Sequence, residues 1–133
     1  MELEGRSIRD GEAEGEALCT REPIGFFGMV DPRTGVVTDP GHELHGLSMA
    51  GKVLVFPGGK GSTVGSYVLH SLKENGVAPL ALVMEACEPI VAAGAILGEI
   101  PAVDRVEIGL LRTGDRVRVR NGKVRVERGG REA

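Results

Sequence analysis

The sequence predicts an α/β fold: a small parallel sheet with crossover helices, preceded by peripheral β-strands and followed by a C-terminal hairpin. Three observations carry this. The middle of the chain alternates short apolar runs with helical patterns. The part up to about Met49 is a series of short runs broken by turns, and the end alternates Val with Arg or Lys on both sides of Asn121-Gly122.

In the first part, Ala17-Leu18-Cys19 reads as a strand, and Pro23-Ile24-Gly25-Phe26-Phe27-Gly28 runs into an Asp31-Pro32-Arg33-Thr34-Gly35 turn. Asp first, Pro next and Gly last suit a type I turn followed by a bulge. Val36-Val37 reads as a brief strand before the Asp39-Pro40-Gly41 turn. In the middle, Val53-Leu54-Val55-Phe56 is a continuous apolar strand, and a helix is expected to open at Ser62-Thr63 with Val64, Val68, Leu69 and Leu72 on one face. Asn75-Gly76 tolerates positive φ and ends it. Residues 80–84 read as a second buried strand, and Glu88-Pro89 opens a second helix with proline in its first turn. That helix runs to Gly98; Pro101 blocks its extension, and residues 103–106 read as a third strand. Strand–helix–strand–helix–strand of this length implies right-handed parallel crossovers. Val117 and Val119, then Val124 and Val126, alternate with basic residues around a type I′ turn. Their arginines are expected on the solvent face of a hairpin, not in an anion site. Residues 128–133 read as a fraying tail of a single domain spanning 1–133.

Composition excludes several function classes. The formal charge is −3, and one Tyr, three Phe and no Trp leave little for stacking on bases, so no nucleic acid is expected as partner. No apolar run reaches membrane-spanning length, and the acidic start is neither a signal nor a transit peptide, so a cytoplasmic location is expected. Cys19 and Cys87 lie far apart with no other cysteine at metal-ligand spacing. Two thiols cannot supply the ligands of an iron–sulfur cluster, so a cluster needed by the function must be held by another chain. His42 and His45 are spaced as a conceivable ligand pair, but no third ligand is recognisable and solvated or structural loop histidines read as well; no metal is assigned to this chain. His70 reads as a half-buried helix residue. Glu85 and Glu88 flank Cys87 at the carboxyl edge of a strand, where open α/β sheets place ligands, although acidic residues at a helix start explain them equally.

The chemistry concentrates in Gly58-Gly59-Lys60-Gly61-Ser62-Thr63, between the first buried strand and its helix. Helix N-termini present unpaired N–H groups and partial positive charge, which suit a small anionic substrate, and glycines let the backbone approach it. Gly58, Gly59, Lys60, Gly61 and Thr63 are the candidate substrate-binding residues, and Ser62 is the candidate catalytic group. The lysine precedes the last glycine, so this is not a nucleotide-binding P-loop, and the glycine offsets do not fit the dinucleotide fingerprint. A plain Gly-rich turn with serine as helix cap remains the other reading. Serine needs activation by a base or by stabilisation of its alkoxide, and nothing adjacent in sequence supplies a base.

The segments GMVDPRTGVVTDPGHELHG, AGKVLVFPGGKGSTVGSYVLHSLKENGVAPLALV and EPIVAAGAILGEIP together resemble the small-subunit family of the aconitase X group, and within it the archaeal-type phosphomevalonate dehydratases. The Gly-Ser-Thr turn is similar to the Gly-Ser-Ser turn in the swivelling domains of aconitase and isopropylmalate isomerase small subunits, where the first serine is the base; that role maps onto Ser62. The resemblance implies a swivelling β/β/α domain closing over a large catalytic subunit, as a heterodimer whose partner holds an iron–sulfur cluster of 4Fe-4S type. It also implies dehydration of (R)-5-phosphomevalonate to trans-anhydromevalonate 5-phosphate in isoprenoid precursor synthesis. Two positions depart from the relatives: Val64 stands where aconitase-type turns carry a carboxylate-clamping arginine, and Phe27 where many relatives carry tryptophan. A cis-3-hydroxy-L-proline dehydratase small subunit and a non-catalytic anion-binding or interaction module are the alternatives.

Overall fold

The computed structural model describes residues 1–127, so the tail expected at 128–133 lies outside the described residues. The strands are β1 (Glu2–Glu4), β2 (Arg6–Arg9), β3 (Glu12–Cys19), β4 (Val53–Phe56), β5 (Ala81–Met84), β6 (Ala102–Asp104), β7 (Arg116–Arg120) and β8 (Lys123–Glu127). Two helices, α2 (Gly65–Glu74) and α3 (Pro89–Leu97), follow β4 and β5, and a short helical turn α1 (Phe26–Met29) follows β3. Spatial order is β1-β8-β7-β3-β4-β5-β6-β2.

Strand β3 joins two kinds of sheet. Its first half pairs antiparallel with β7, Glu12 to Glu16 facing Arg120 to Arg116. Its last residues, Ala17 to Cys19, pair parallel with Val53 to Val55 of β4, and β5 and β6 continue in parallel. Period-two alternation in the parallel strands then feeds two cores. Leu54, Phe56, Leu82 and Met84 face the helices, meeting Leu69, Leu72, Val91 and Ala95. Val53, Val55, Ala81, Val83 and Val103 face the other way and meet Val117, Val119, Val124 and Val126 of the hairpin. The layers are therefore hairpin, parallel sheet and helices. This is the β/β/α arrangement that the resemblance implied.

A single residue, Gly5, links β1 and β2, which lie at opposite edges of the sheet. The sheet must curl until its edges nearly meet, and Gly5 N–H donates to Gly122 O at 2.8 Å across that seam. A Cβ on Gly5 would lie 2.6 Å from Val103 Cγ2 and would also strike Asp104 O, so only glycine fits.

Several sequence expectations change. The strand at 17–19 is only the end of β3, and β1 and β2 were not anticipated, because ELE is only three residues long and RSIR carries charges on both faces; both become strands by pairing with the edges β8 and β6. Val36 and Val37 make isolated bridges to Ser48 and Val30 instead of a strand. The second and third buried strands are shorter than expected, beginning at Ala81 and covering Ala102–Asp104. Helix α2 opens at Gly65, not at Ser62-Thr63, and Val64 is exposed instead of sharing the buried face of Val68, Leu69 and Leu72. The turns hold up. Asp31 O accepts from Gly35 N–H at 2.8 Å with Gly35 at φ +75°, and Asn121 and Gly122 have φ of 45° and 88° as type I′ requires. The hairpin arginines lie on the solvent face, where Arg116 and Arg118 pair with Glu14 and Glu12 of β3, each at 3.1 Å.

Candidate functional site

The carboxyl ends of β4, β5 and β6 lie side by side, and the Gly58–Thr63 turn leaves the first of them. Buried Ile24 pins its base: Ile24 N–H donates to Gly58 O and Lys60 N–H to Ile24 O, each at 3.1 Å. The glycines divide by role. A Cβ on Gly58 would lie 2.5 Å from Ala86 O, and one on Gly59 would lie 2.6 Å from Glu88 Oε1 and strike Val91. Both are glycine because the turn between β5 and α3 packs against them. Gly61 has open space around it but sits at φ +93°, so its need is conformational.

Ser62 and Thr63 are exposed at the tip. Ser62 Oγ accepts from Val64 N–H at 3.1 Å, and Ser62 O accepts from Gly65 N–H at 3.0 Å. Thr63 O accepts both Ser66 N–H and Ser66 Oγ–H, at 3.3 and 2.9 Å. The N-cap of α2 is Val64, which has no side-chain cap bond. Ser62 therefore braces the turn two residues ahead of the cap and does not cap the helix. The N–H groups of Gly61, Ser62 and Thr63 donate to no acceptor among the described residues. Three donors without an acceptor beside the positive end of α2 suit negative charge. Lys60 is exposed on the same turn and makes no ion pair among the described residues.

No carboxylate or imidazole of the described residues is bonded to Ser62 Oγ. Beside the turn runs an open groove of about 540 Å³ lined by Phe27, Val30, Pro32, Val64, Tyr67 and Val68 among others. Phe27, Val64 and Tyr67 are 55%, 42% and 65% exposed, a concentration of large apolar side chains next to the polar tip.

The other candidates resolve toward structure. Glu88 is the N-cap of α3, its two carboxylate oxygens accepting from Ile90 and Val91 N–H at 2.9 Å each. Buried His42 uses Nδ1 to accept from Leu44 N–H at 3.1 Å, with Nε2 3.7 Å from Glu22, while His45 is exposed. No group of three or more metal-ligating side chains occurs among the described residues. Cys19, at the end of β3, and Cys87, in the turn between β5 and α3, are free and part-buried, and burial pushes both thiols up to about 11. Thiols that resist ionisation on separate elements do not fit a cluster site. The sequence reading missed Arg6 and Asp104. Asp104 is 1% exposed and receives Arg6 Nε and Nη2 at 3.0 and 2.8 Å and Cys87 N–H at 2.9 Å. Burial alone would raise its pKa, but those hydrogen bonds and the guanidinium charge outweigh it and hold the carboxyl below the ordinary aspartate range. The only sequence signal was an acidic residue ending an apolar strand.

No helix among the described residues is long and apolar enough to cross a membrane. The family model for the aconitase X swivel domain matches residues 2–127. The chain is 55% identical over 119 residues to the phosphomevalonate dehydratase small subunit of Thermococcus kodakarensis, covering 90% of each. It is 57% identical over 119 residues to the protein of the same name from Methanothrix thermoacetophila, covering 90% of this chain and 87% of the relative. Among solved structures it is similar to the holo form of Thermococcus kodakaraensis aconitase X, with a TM-score of 0.93 and 52% identity over 95% of this chain and 98% of that one.

Proposed function

The chain belongs to the aconitase X swivel domain family, and from that membership we propose that it is the small subunit of a two-subunit hydro-lyase. Its reaction is the dehydration of (R)-5-phosphomevalonate to trans-anhydromevalonate 5-phosphate in isoprenoid precursor synthesis, as the names of its relatives suggest. Residues 1–133 act as one swivelling domain that covers the active site of a large subunit.

The observation that carries this reading is Ser62, exposed on its turn with Oγ bonded only to Val64 N–H and with no base bonded to it among the described residues. In the elimination, Ser62 Oγ takes the proton from the carbon next to the substrate carboxylate. The C–H electron pair becomes the new C=C bond as the C–O bond to the hydroxyl breaks on the neighbouring carbon; the departing hydroxide takes up one proton to leave as water, and Ser62 releases the proton it took before the next turnover, so no net proton is gained or lost. Serine performs this only as an alkoxide or close to it. The N–H groups of Gly61, Ser62 and Thr63, the end of α2 and Lys60 supply positive potential at that oxygen, and exclusion of water by the partner would strengthen all of them. Gly58 and Gly59 seat the turn. The exposed Val64 supports placing the substrate carboxylate on the partner. The iron–sulfur cluster is assigned to the large subunit, because the two dispersed, high-pKa thiols here do not fit one.

The test is to purify the chain anaerobically alone and with the large subunit, then assay (R)-5-phosphomevalonate dehydration and iron content. The pair is expected to turn over, and the lone chain to be inactive and free of iron. Turnover by the lone chain refutes the two-subunit reading. Activity of the pair on cis-3-hydroxy-L-proline only refutes the substrate, and an inactive pair with a loaded cluster refutes catalysis in favour of a binding module.

A further inference from the structure

We propose that the Arg6–Asp104 ion pair is a positioning device for the Ser62 turn, acting through the backbone of Cys87. The inference rests on the catalytic reading of that turn but starts from a separate feature. Asp104 ends β6, is almost fully buried, and binds Arg6 through both carboxylate oxygens, at 3.0 and 2.8 Å. Arg6 comes from β2, 98 residues away in sequence. Pairing of β2 with β6 is already provided by their backbones, so the strands do not need this pair to find their register.

What the pair holds is the next link. Asp104 Oδ2 also accepts from Cys87 N–H at 2.9 Å. Cys87 belongs to the turn between β5 and α3, and that turn is the surface on which the Ser62 turn rests. Glu85 and Ala86 N–H both donate to Pro57 O, at 3.2 and 3.1 Å. Ala86 O closes the space beside Gly58, and the Glu88 carboxylate closes the space beside Gly59. From Arg6 to Gly59 every step is a hydrogen bond, a peptide link or a contact too close for a Cβ. A two-pronged guanidinium fixes the plane of a carboxylate as a single ammonium cannot. The carboxylate plane in turn fixes where Cys87 N–H must sit, and with it Ala86 and Glu88. Catalytic groups lose rate steeply when displaced by fractions of an ångström, so a device this remote can act on turnover.

The experiment compares Arg6→Met, Arg6→Lys and Val124→Ala, the last removing methyls from a fully buried valine of the hairpin core, away from both turns. Two readouts are taken: backbone amide shifts of residues 58–63 in the full chain, and kcat and KM of the complex reconstituted with the large subunit. In Arg6→Met the amides of the turn should move and kcat should fall roughly 10- to 100-fold, with KM changed less than about threefold. Arg6→Lys should recover part of kcat, since charge returns without the fork. Val124→Ala should lower Tm while leaving the turn amides and kcat near wild type. Unmoved turn amides in Arg6→Met overturn the proposal whatever the reaction proves to be. So does a kcat loss in Val124→Ala equal to that of Arg6→Met, since stability alone would then explain both. An inert Ser62→Ala substitution with moved amides would instead count against the catalytic reading and leave the mechanical coupling standing.

Discussion

Replacing Ser62 with alanine separates chemistry from architecture by about 2–5 kcal/mol. The architectural cost is small, because the hydroxyl accepts one bond, from Val64 N–H at 3.1 Å, on an exposed turn, and does not cap α2. Water can replace that acceptor, so the loss is about 0.5 kcal/mol, at the low end for a hydrogen bond. For a domain of this size that lowers Tm by roughly 2–3 °C. The catalytic cost follows from general-base catalysis, which contributes about 10²–10⁴-fold, or ~2.7–5.4 kcal/mol of barrier. The free N–H groups of Gly61, Ser62 and Thr63 survive the substitution, so KM should change much less than kcat. Thr63→Ala is the neighbouring control, expected to be milder by about an order of magnitude or more. The assay is dehydration by the anaerobically reconstituted complex, with Tm of each small subunit measured by circular dichroism. A kcat within about threefold of wild type would refute the base assignment. A Tm loss of many degrees with normal kcat would show that the hydroxyl serves the turn alone.

Three further outcomes are expected. Gly59→Ala forces a Cβ to within 2.6 Å of Glu88 Oε1 and into Val91, so it should destabilise by about 1–3 kcal/mol and also lower kcat; an unchanged Tm would mean that the two turns are not in contact. Cys19 and Cys87, with thiols near 11, hold roughly a hundredfold less thiolate at pH 8 than an ordinary cysteine, so iodoacetamide should label both slowly in the folded chain and quickly in urea. Asp104 is held below the ordinary aspartate value of about 3.9, so its pair contributes stability in full above that pH and loses it as pH falls through the lower folded value. In Arg6→Met the same carboxyl is buried without its cation and its pKa rises. The Tm gap between wild type and Arg6→Met should therefore be widest near neutral pH and close as pH drops below about 4; a gap that widens in acid would reverse the assignment of the pair.

The parts of the fold that could be read along the chain are those whose cause is local. Val53–Phe56 is apolar on both faces, as a strand between two cores must be, and Asn121-Gly122 dictates its own hairpin. Glu88-Pro89 starts α3 because its carboxylate and its missing N–H both suit a first turn. What escaped has a distant cause. Strands β1 and β2 exist because β8 and β6 offer edges more than ninety residues later, and their own pattern of charges says nothing of it. The same distance hid Arg6 and Asp104.

The helix boundary carries a further lesson about the site. Serine before a helix is ordinarily the cap, and that habit moved the expected start of α2 to Ser62-Thr63. In the folded chain Val64 takes the cap position without a side-chain bond, and the first turn of the helix closes through Ser62 O, Thr63 O and the Ser66 hydroxyl. A serine that capped the helix would have its Oγ bonded to the N–H groups that also suit an anion, and would be a poor candidate for taking a proton. Displacing the cap by two residues leaves Oγ at the exposed tip with a single weak donor, and leaves three N–H groups beside it without acceptors among the described residues. Two of the preceding glycines are fixed by packing against the β5–α3 turn, so the tip is flexible in sequence yet rigidly founded. That combination, an exposed hydroxyl on a firm base with no activator among the described residues, fits the proposal that another subunit finishes the site.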